Sequence, residues 1–222
     1  MVAVVAARDE VDLIGATVEA ILTIPLVDEV VVVDDGSVDE TAERARGSGA
    51  RVLRSPRNLG KGRALEAALG RIEAAEVYLF LDADLGETAK EAGPLLDEVV
   101  SGRADLAIGS LPREPRHGGF RLVKRLAGVL IGALSGFRAA EPLSGQRALH
   151  RAVLEAVRPL AAGFGVEPAM TIDAARLGFR IREVAVPMRH APTARDLAGF
   201  LHRARQGRDL LIAAVPRALR MR

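Results

Sequence analysis

Val77-Tyr78-Leu79-Phe80-Leu81-Asp82-Ala83-Asp84 is a short apolar run stopped by two carboxylates. Five bulky residues with no polar alternation suit a strand covered on both faces, as in a parallel sheet flanked by helices. Residues spaced by two at a strand end aim their side chains the same way. Asp82 and Asp84 therefore make a hard-oxygen pair suited to Mg2+ or Mn2+, which keeps positions open for phosphate oxygens and neutralises a leaving diphosphate. A lone D-x-D recurs by chance, so its place at the end of a strand gives it its weight.

Working outward, further β-branched runs lie at Val2 to Ala6, Glu29 to Val33, Arg51 to Leu53 and Asp105 to Ile108. Between them Asp12 to Thr23, Asp39 to Arg46, Lys61 to Ala74 and Thr88 to Val100 carry apolar residues at three-to-four spacing. This alternation predicts an α/β fold with crossover helices over a mostly parallel sheet. Ligands of such sheets bind beyond the carboxyl ends of the strands. The residues there are polar: Arg8-Asp9-Glu10 after the first run, Asp34-Asp35-Gly36-Ser37 after the second, Asn58-Leu59-Gly60-Lys61-Gly62 at the third helix start, and Asp82-Ala83-Asp84. Each alone reads as a cap or turn, Ser37 and Asp39 as helix caps for instance. Gathered on one rim, like charges are costly unless a cation binds, and a divalent ion carrying a diphosphate is the natural occupant. Lys61, at a helix start in a glycine-rich loop, resembles a phosphate-holding lysine, although G-K-G falls short of a P-loop.

The chain has 222 residues, 49% of them apolar, and no cysteine. That is enough for a full core, and it excludes disulfides, thiolate catalysis and cysteine-bound zinc. The net charge of +2 hides an asymmetry. Residues 1–110 hold 11 basic and 21 acidic side chains and residues 111–222 hold 20 and 8, or about −10 and +12. These spans read as two halves of one domain. Arginine supplies nearly all the second half's positive charge and suits phosphates or anionic headgroups. With 3% aromatic residues and no helix-turn-helix or zinc-finger signature, nucleic acid is not an expected partner. Met1 runs directly into Val2-Ala3-Val4-Val5 without a basic leader, which predicts a cytoplasmic chain. Leu126 to Leu134 is far below the roughly 20 apolar residues that span a bilayer. Asp196 to Val215 reads as a basic amphipathic helix, docked on the core or on a second subunit of a homodimer, or lying at the inner membrane face as a peripheral contact.

The order Ala7-Arg8-Asp9-Glu10, Asp34-Asp35-Gly36-Ser37 with Asp39 and Thr41, Asn58-Leu59-Gly60-Lys61-Gly62, then Asp82-Ala83-Asp84 resembles the family 2 glycosyltransferases of the GT-A fold, a Rossmann-like arrangement here followed by a C-terminal helical extension. The resemblance covers the first half densely, and it implies that residues 1–110 form the nucleotide-sugar-binding half and residues 111–222 the acceptor-binding half of one catalytic domain. It implies a nucleotide-sugar donor contacted by Ala7, Glu10, Asp35, Gly60, Lys61, Asp82 and Ala83. It also implies a metal held by Asp82 and Asp84. The family's P-A-x-N-E reads Ala6-Ala7-Arg8-Asp9-Glu10 here. Pro142-Leu143-Ser144-Gly145-Gln146-Arg147, Gly163-Phe164-Gly165-Val166-Glu167 and Thr171-Ile172-Asp173 are similar to the glucosyl-3-phosphoglycerate synthases. Ser144-Gly145 with Arg147 and Arg151 also resembles a segment of dolichyl-phosphate sugar synthases. These resemblances imply donor contacts at Ser144 and Gly145, catalytic roles for Asp84 and for Glu167, which would bind donor sugar hydroxyls, and His190 as a third metal ligand. They also imply acceptor contacts at Arg121 and Arg147. After His190 the chain reads Ala191-Pro192-Thr193, where that family carries an asparagine. Asp173 reads as a solvated helix position rather than a general base, because a phosphate nucleophile is already ionised.

The expected activity is metal-dependent transfer of a sugar, glucose favoured, from a UDP-type donor to a small phosphorylated acceptor such as phosphoglycerate. Transfer to a polyprenyl phosphate is the alternative. A sugar nucleotidyltransferase is disfavoured because no basic glycine-rich loop follows the first run. A non-catalytic binder is disfavoured because it has no need of both Asp82 and Asp84.

Overall fold

The computed structural model describes residues 1–112, 119–190, 212 and 214–217. Its strands are β1 Val2–Ala7, β2 Glu29–Asp34, β3 Arg51–Arg54, β4 Val77–Asp82, β5 Leu106–Ser110, β6 Arg147–His150 and β7 Ile181–Ala185. Its helices are α1 Ile14–Leu22, α2 Thr41–Gly47, α3 Lys61–Leu69, α4 Gly93–Val100, α5 Gly119–Ser135, α6 Arg151–Val157 and α7 Val166–Arg176. Among the described residues the strands form one sheet in the order β3-β2-β1-β4-β6-β5-β7. β6 runs antiparallel to β4 and β5, and the other pairings are parallel. The sheet is continuous across Ser110, so both halves of the chain share one layer.

β1, β2 and β4 are apolar along nearly their whole length because both faces are covered. Val5, Leu79 and Leu81 pack with Ile14, Ile21, Leu95 and Leu96 on one side. Val4, Phe80, Ile108 and Leu149 pack with Leu65, Met170 and Leu154 on the other. This places the carboxyl ends of β1, β2, β4, β5 and β7 on one rim, with the start of β6 between the ends of β4 and β5.

Several boundaries differ from the sequence reading. α3 stops at Leu69, capped by Gly70, instead of continuing to Ala74. The span expected as one helix from Thr88 divides into a 3-10 segment, Gly86–Ala92, and α4, whose first turn holds Pro94. Proline has no N–H to give an earlier turn, so it starts a helix rather than continuing one. β6 was not anticipated. Among the described residues no helix is long and apolar enough to cross a membrane. The basic helix expected from Asp196 to Val215 falls mostly outside the described residues. Of its end, Ala214 is buried and Arg217 donates to Asp173 at 2.8 Å. Asp173 thus anchors the C-terminal segment rather than standing solvated.

The start of α3 approaches the 158–162 segment closely. A Cβ on Gly62 would collide with the Ala161 carbonyl, and that segment is tied to α3 by Glu66, which accepts from Arg158 and the Leu160 N–H. Replacing Gly62 with Ala is expected to destabilise the fold by about 1–3 kcal/mol, the usual cost of overpacking. Urea unfolding of Gly62→Ala checks this, and an unchanged midpoint contradicts the close approach.

Candidate functional site

The rim is built by loops that hold one another. Asp9 takes a left-handed backbone (φ 55), and the N–H groups of Asp9 and Glu10 donate to Ser37 Oγ at 3.0 Å and Thr41 Oγ1 at 2.8 Å. The Val38 N–H returns to Asp9 Oδ1 at 2.8 Å. Asp39 Oδ2 accepts from the Val11 N–H at 3.3 Å, so Ser37 and Asp39 lace the first two loops together, beyond the local capping expected of them. Asp35 is nearly buried and accepts from the N–H groups of Leu59 and Gly60 at 2.6 and 2.8 Å, which sets the loop that delivers Lys61. Ala7 and Ala83 are buried, and their carbonyls accept from the Asp35 N–H and the Thr17 hydroxyl. Thr17 Oγ1 also accepts from the Gly86 N–H at 2.8 Å, so one buried hydroxyl closes the turn after Asp84.

At the centre, Lys61 Nζ lies 2.6 Å from Asp82 Oδ1 and 2.7 Å from Glu167 Oε1. Burial opposes the charge of both Lys61 and Asp82, but mutual attraction prevails. The Lys61 ammonium is held well above its ordinary range and the Asp82 carboxyl falls to about 2. Gly145 packs on the same carboxylate, where a Cβ would come within 2.5 Å of Asp82 Oδ2. His190, just beyond β7, places Nδ1 2.8 Å from Asp84 Oδ1. Glu10 faces this group, and its carboxyl is raised to about 7, first by burial and then by Asp84 and Asp82.

The structure thus brings Glu10, Lys61, Asp82, Asp84, Gly145, Glu167 and His190 to one rim. Arg147 is a correction. It is buried to 1% exposure, donating to the Ser144 carbonyl at 2.8 Å and Thr171 Oγ1 at 2.9 Å, so it braces the floor and offers no surface to an acceptor. Burial lowers its pKa to about 10, against the pull of Glu167, Glu183 and Asp82. Arg121 lies within α5, but its side chain is outside those described. Gln146, absent from the expected site residues, is fully buried and donates to Asp82 Oδ2 at 2.7 Å. Its only sequence signal is its place beside Ser144-Gly145.

The fit to a divalent ion can be tested on these contacts. Among the described residues no three acidic or imidazole side chains close on a single ion-sized point. The carboxylates are covered by internal donors instead, Asp82 by Lys61 and Gln146 and Asp84 by His190. The donor set of carboxylate oxygen and imidazole nitrogen suits Mg2+ or Mn2+. The raised Glu10 carboxyl marks the negative excess that a cation would relieve. The donor chemistry fits the ion, while the side chains are held by internal partners and do not close on one point.

Comparisons with known proteins agree with this arrangement. The family model described as Glycosyl transferase family 2 matches residues 2–155. The chain is 33% identical over 193 residues to the glucosyl-3-phosphoglycerate synthase of Mycolicibacterium paratuberculosis, covering 77% of this chain and 58% of that protein. It is 30% identical over 198 residues to the dolichyl-phosphate hexose transferase of Haloferax volcanii, covering 86% and 83%. The crystal structure of the Mycobacterium tuberculosis glucosyl-3-phosphoglycerate synthase in complex with Mn2+, uridine diphosphate and phosphoglyceric acid superposes with a TM-score of 0.81 at 30% identity, covering 97% of this chain and 77% of that one. The chain spans little more than half the length of the synthases it matches.

Glu10 sets a pH dependence. Its native carboxyl keeps its proton to about pH 7 against an ordinary 4.5, so between those values the unfolded chain releases its proton first and the native state loses stability as pH rises. In chelator the melting temperature is expected to fall from pH 5 to 7, and Glu10→Gln to flatten that fall. A slope that persists in Glu10→Gln assigns it to another group.

Proposed function

The chain belongs to glycosyl transferase family 2, and on that premise we propose that it transfers glucose from UDP-glucose to a small phosphorylated acceptor, phosphoglycerate first among them. The observation that carries this reading is the buried Asp82–Lys61–Glu167 network on the carboxyl rim beside the Asp84–His190 pair. Asp82, Asp84 and His190 would hold Mn2+ or Mg2+. When bound, the ion supplies charge neutralisation for the departing diphosphate.

The chain's own residues account for the rest. Glu10 and the Asp35-held loop offer acceptors and backbone to the base and ribose. Lys61 carries a fixed positive charge next to Asp82 and suits diphosphate oxygens. Gly145, packed against Asp82, and its neighbour Ser144 border the sugar. Glu167, 8% exposed and bound to Lys61, keeps acceptor capacity for sugar hydroxyls in a shielded place, where such hydrogen bonds count for more than in water. Asp173, committed to Arg217, is not available as a base. For the acceptor, Arg121 near the start of α5 is the remaining arginine of the original pair. The synthase structure with Mn2+, uridine diphosphate and phosphoglyceric acid supports both donor and acceptor classes, and a cytoplasmic setting would supply them.

A second reading is transfer to a polyprenyl phosphate at the inner membrane face. It is favoured by the match to the dolichyl-phosphate hexose transferase over 86% of this chain. Product analysis with both acceptors separates the readings.

Melting of the purified chain with nucleotide sugars, with and without Mn2+, tests the donor. UDP-glucose is expected to stabilise only with the metal, by about 2.7 kcal/mol at a hundred times its Kd. No shift with any sugar nucleotide overturns the reading. Asp84→Ala is expected to lose transfer while folding normally, since it removes one charge from a crowded acidic rim. Full activity in that variant removes Asp84 from the site.

A further inference from the structure

Gln146 sits just before β6 with no exposed surface, and both ends of its amide are in use. Its Oε1 accepts from the Asp82 N–H at 3.0 Å and its Nε2 donates to Asp82 Oδ2 at 2.7 Å. The same Nε2 lies 3.4 Å from His190 Nε2. Chemistry fixes the amide's orientation. A backbone N–H can only donate, so the amide oxygen faces it and the amino group is left for the carboxylate. The imidazole is fixed in turn. Its Nδ1 meets the Asp84 carboxylate at 2.8 Å, which calls for a proton there, and its Nε2 meets an amino group, which calls for a bare lone pair. Gln146 is itself seated against β5: the Gly109 N–H donates to its carbonyl at 2.8 Å, and a Cβ on Gly109 would approach the Gln146 Cβ to 3.0 Å.

We propose that Gln146 is a positioning residue for metal binding: it fixes the Asp82 carboxylate and selects the His190 tautomer with a bare Nε2, whose lone pair passes from the 3.4 Å amide contact to the ion when the ion displaces that contact. This rests on the donor-metal reading above. A ligand pair aligned before the ion arrives loses less side-chain freedom on binding. Partners that orient metal ligands in this way are worth about 10–100-fold in affinity.

Gln146→Met keeps the side chain's length and removes both hydrogen bonds. Mn2+ affinity, followed by the electron paramagnetic resonance of the free ion, is expected to fall about 10–100-fold. The KM for UDP-glucose should rise at limiting Mn2+, and kcat should recover at saturating Mn2+. Unchanged Mn2+ affinity, whatever happens to the melting temperature, overturns the proposal. A second measurement needs no folded variant of Gln146. Long-range 1H–15N spectra of the metal-free wild-type chain, with the His190 signals identified by their loss in His190→Ala, are expected to show the proton on Nδ1. A proton on Nε2 overturns the proposal. A wild-type chain that binds no Mn2+ brings down the donor-metal reading and this inference with it, whereas tight binding in both wild type and Gln146→Met brings down the inference alone.

Discussion

The ammonium of Lys61, 2.6 Å from Asp82 and 2.7 Å from Glu167, joins three segments: the start of α3, the end of β4 and the first turn of α7. All three groups are largely shielded from water. Removing one partner of such a set leaves buried charge uncompensated, at a cost of several kcal/mol, whereas the intact set adds little net stability. The network therefore acts as a constraint of geometry more than a source of stability. Much of the surrounding detail serves it. Asp35 fixes the loop before Lys61, Gly60 takes a left-handed turn (φ 83) to start α3, and Gly62 lets α3 lie against the Ala161 carbonyl. Arg147 braces the floor from Ser144 to Thr171, and the Thr171 hydroxyl donates to the Glu167 carbonyl at 3.0 Å.

The same contacts explain how an acidic rim stays folded without a cation. Each carboxylate has an internal donor, and where donors run short the protein retains a proton, as at Glu10. Lys61 holds Asp82 at 2.6 Å, so metal affinity at that carboxylate would reflect a difference between two good arrangements. Lys61 would then have its charge to offer to an anion accompanying the metal.

The sheet through β4 was legible because strands buried on both faces read as unbroken apolar runs, and the rim because polar residues followed each run. Asp82 and Asp84 were legible as a carboxylate pair closing an apolar strand, Glu167 and His190 only through resemblance to family motifs, and all four share the rim in the structure. β6 was hidden: four residues opening on an arginine and ending on a histidine carry no strand pattern. Arg147 looked like a ligand for the same reason, since a guanidinium buried to 1% exposure is legible only once Ser144 and Thr171 are known to surround it. Gln146 was missed because its importance lies entirely in Asp82 and His190, residues 64 and 44 positions away.

The reversal of β6 has a consequence for how this scaffold can diversify. Because β5 runs up to the rim and β6 runs down from it, paired at Ile108 and Arg147, the connection that carries α5 leaves and re-enters the sheet at that rim. Its two ends are pinned, yet nothing in the strand order depends on its length. Such a connection behaves as an exchangeable cassette: insertions ahead of Ser144 can remodel that side of the rim without disturbing the loops that end β1, β2 and β4. On the transfer proposed above, acceptor choice could then drift apart from donor choice within one continuous sheet.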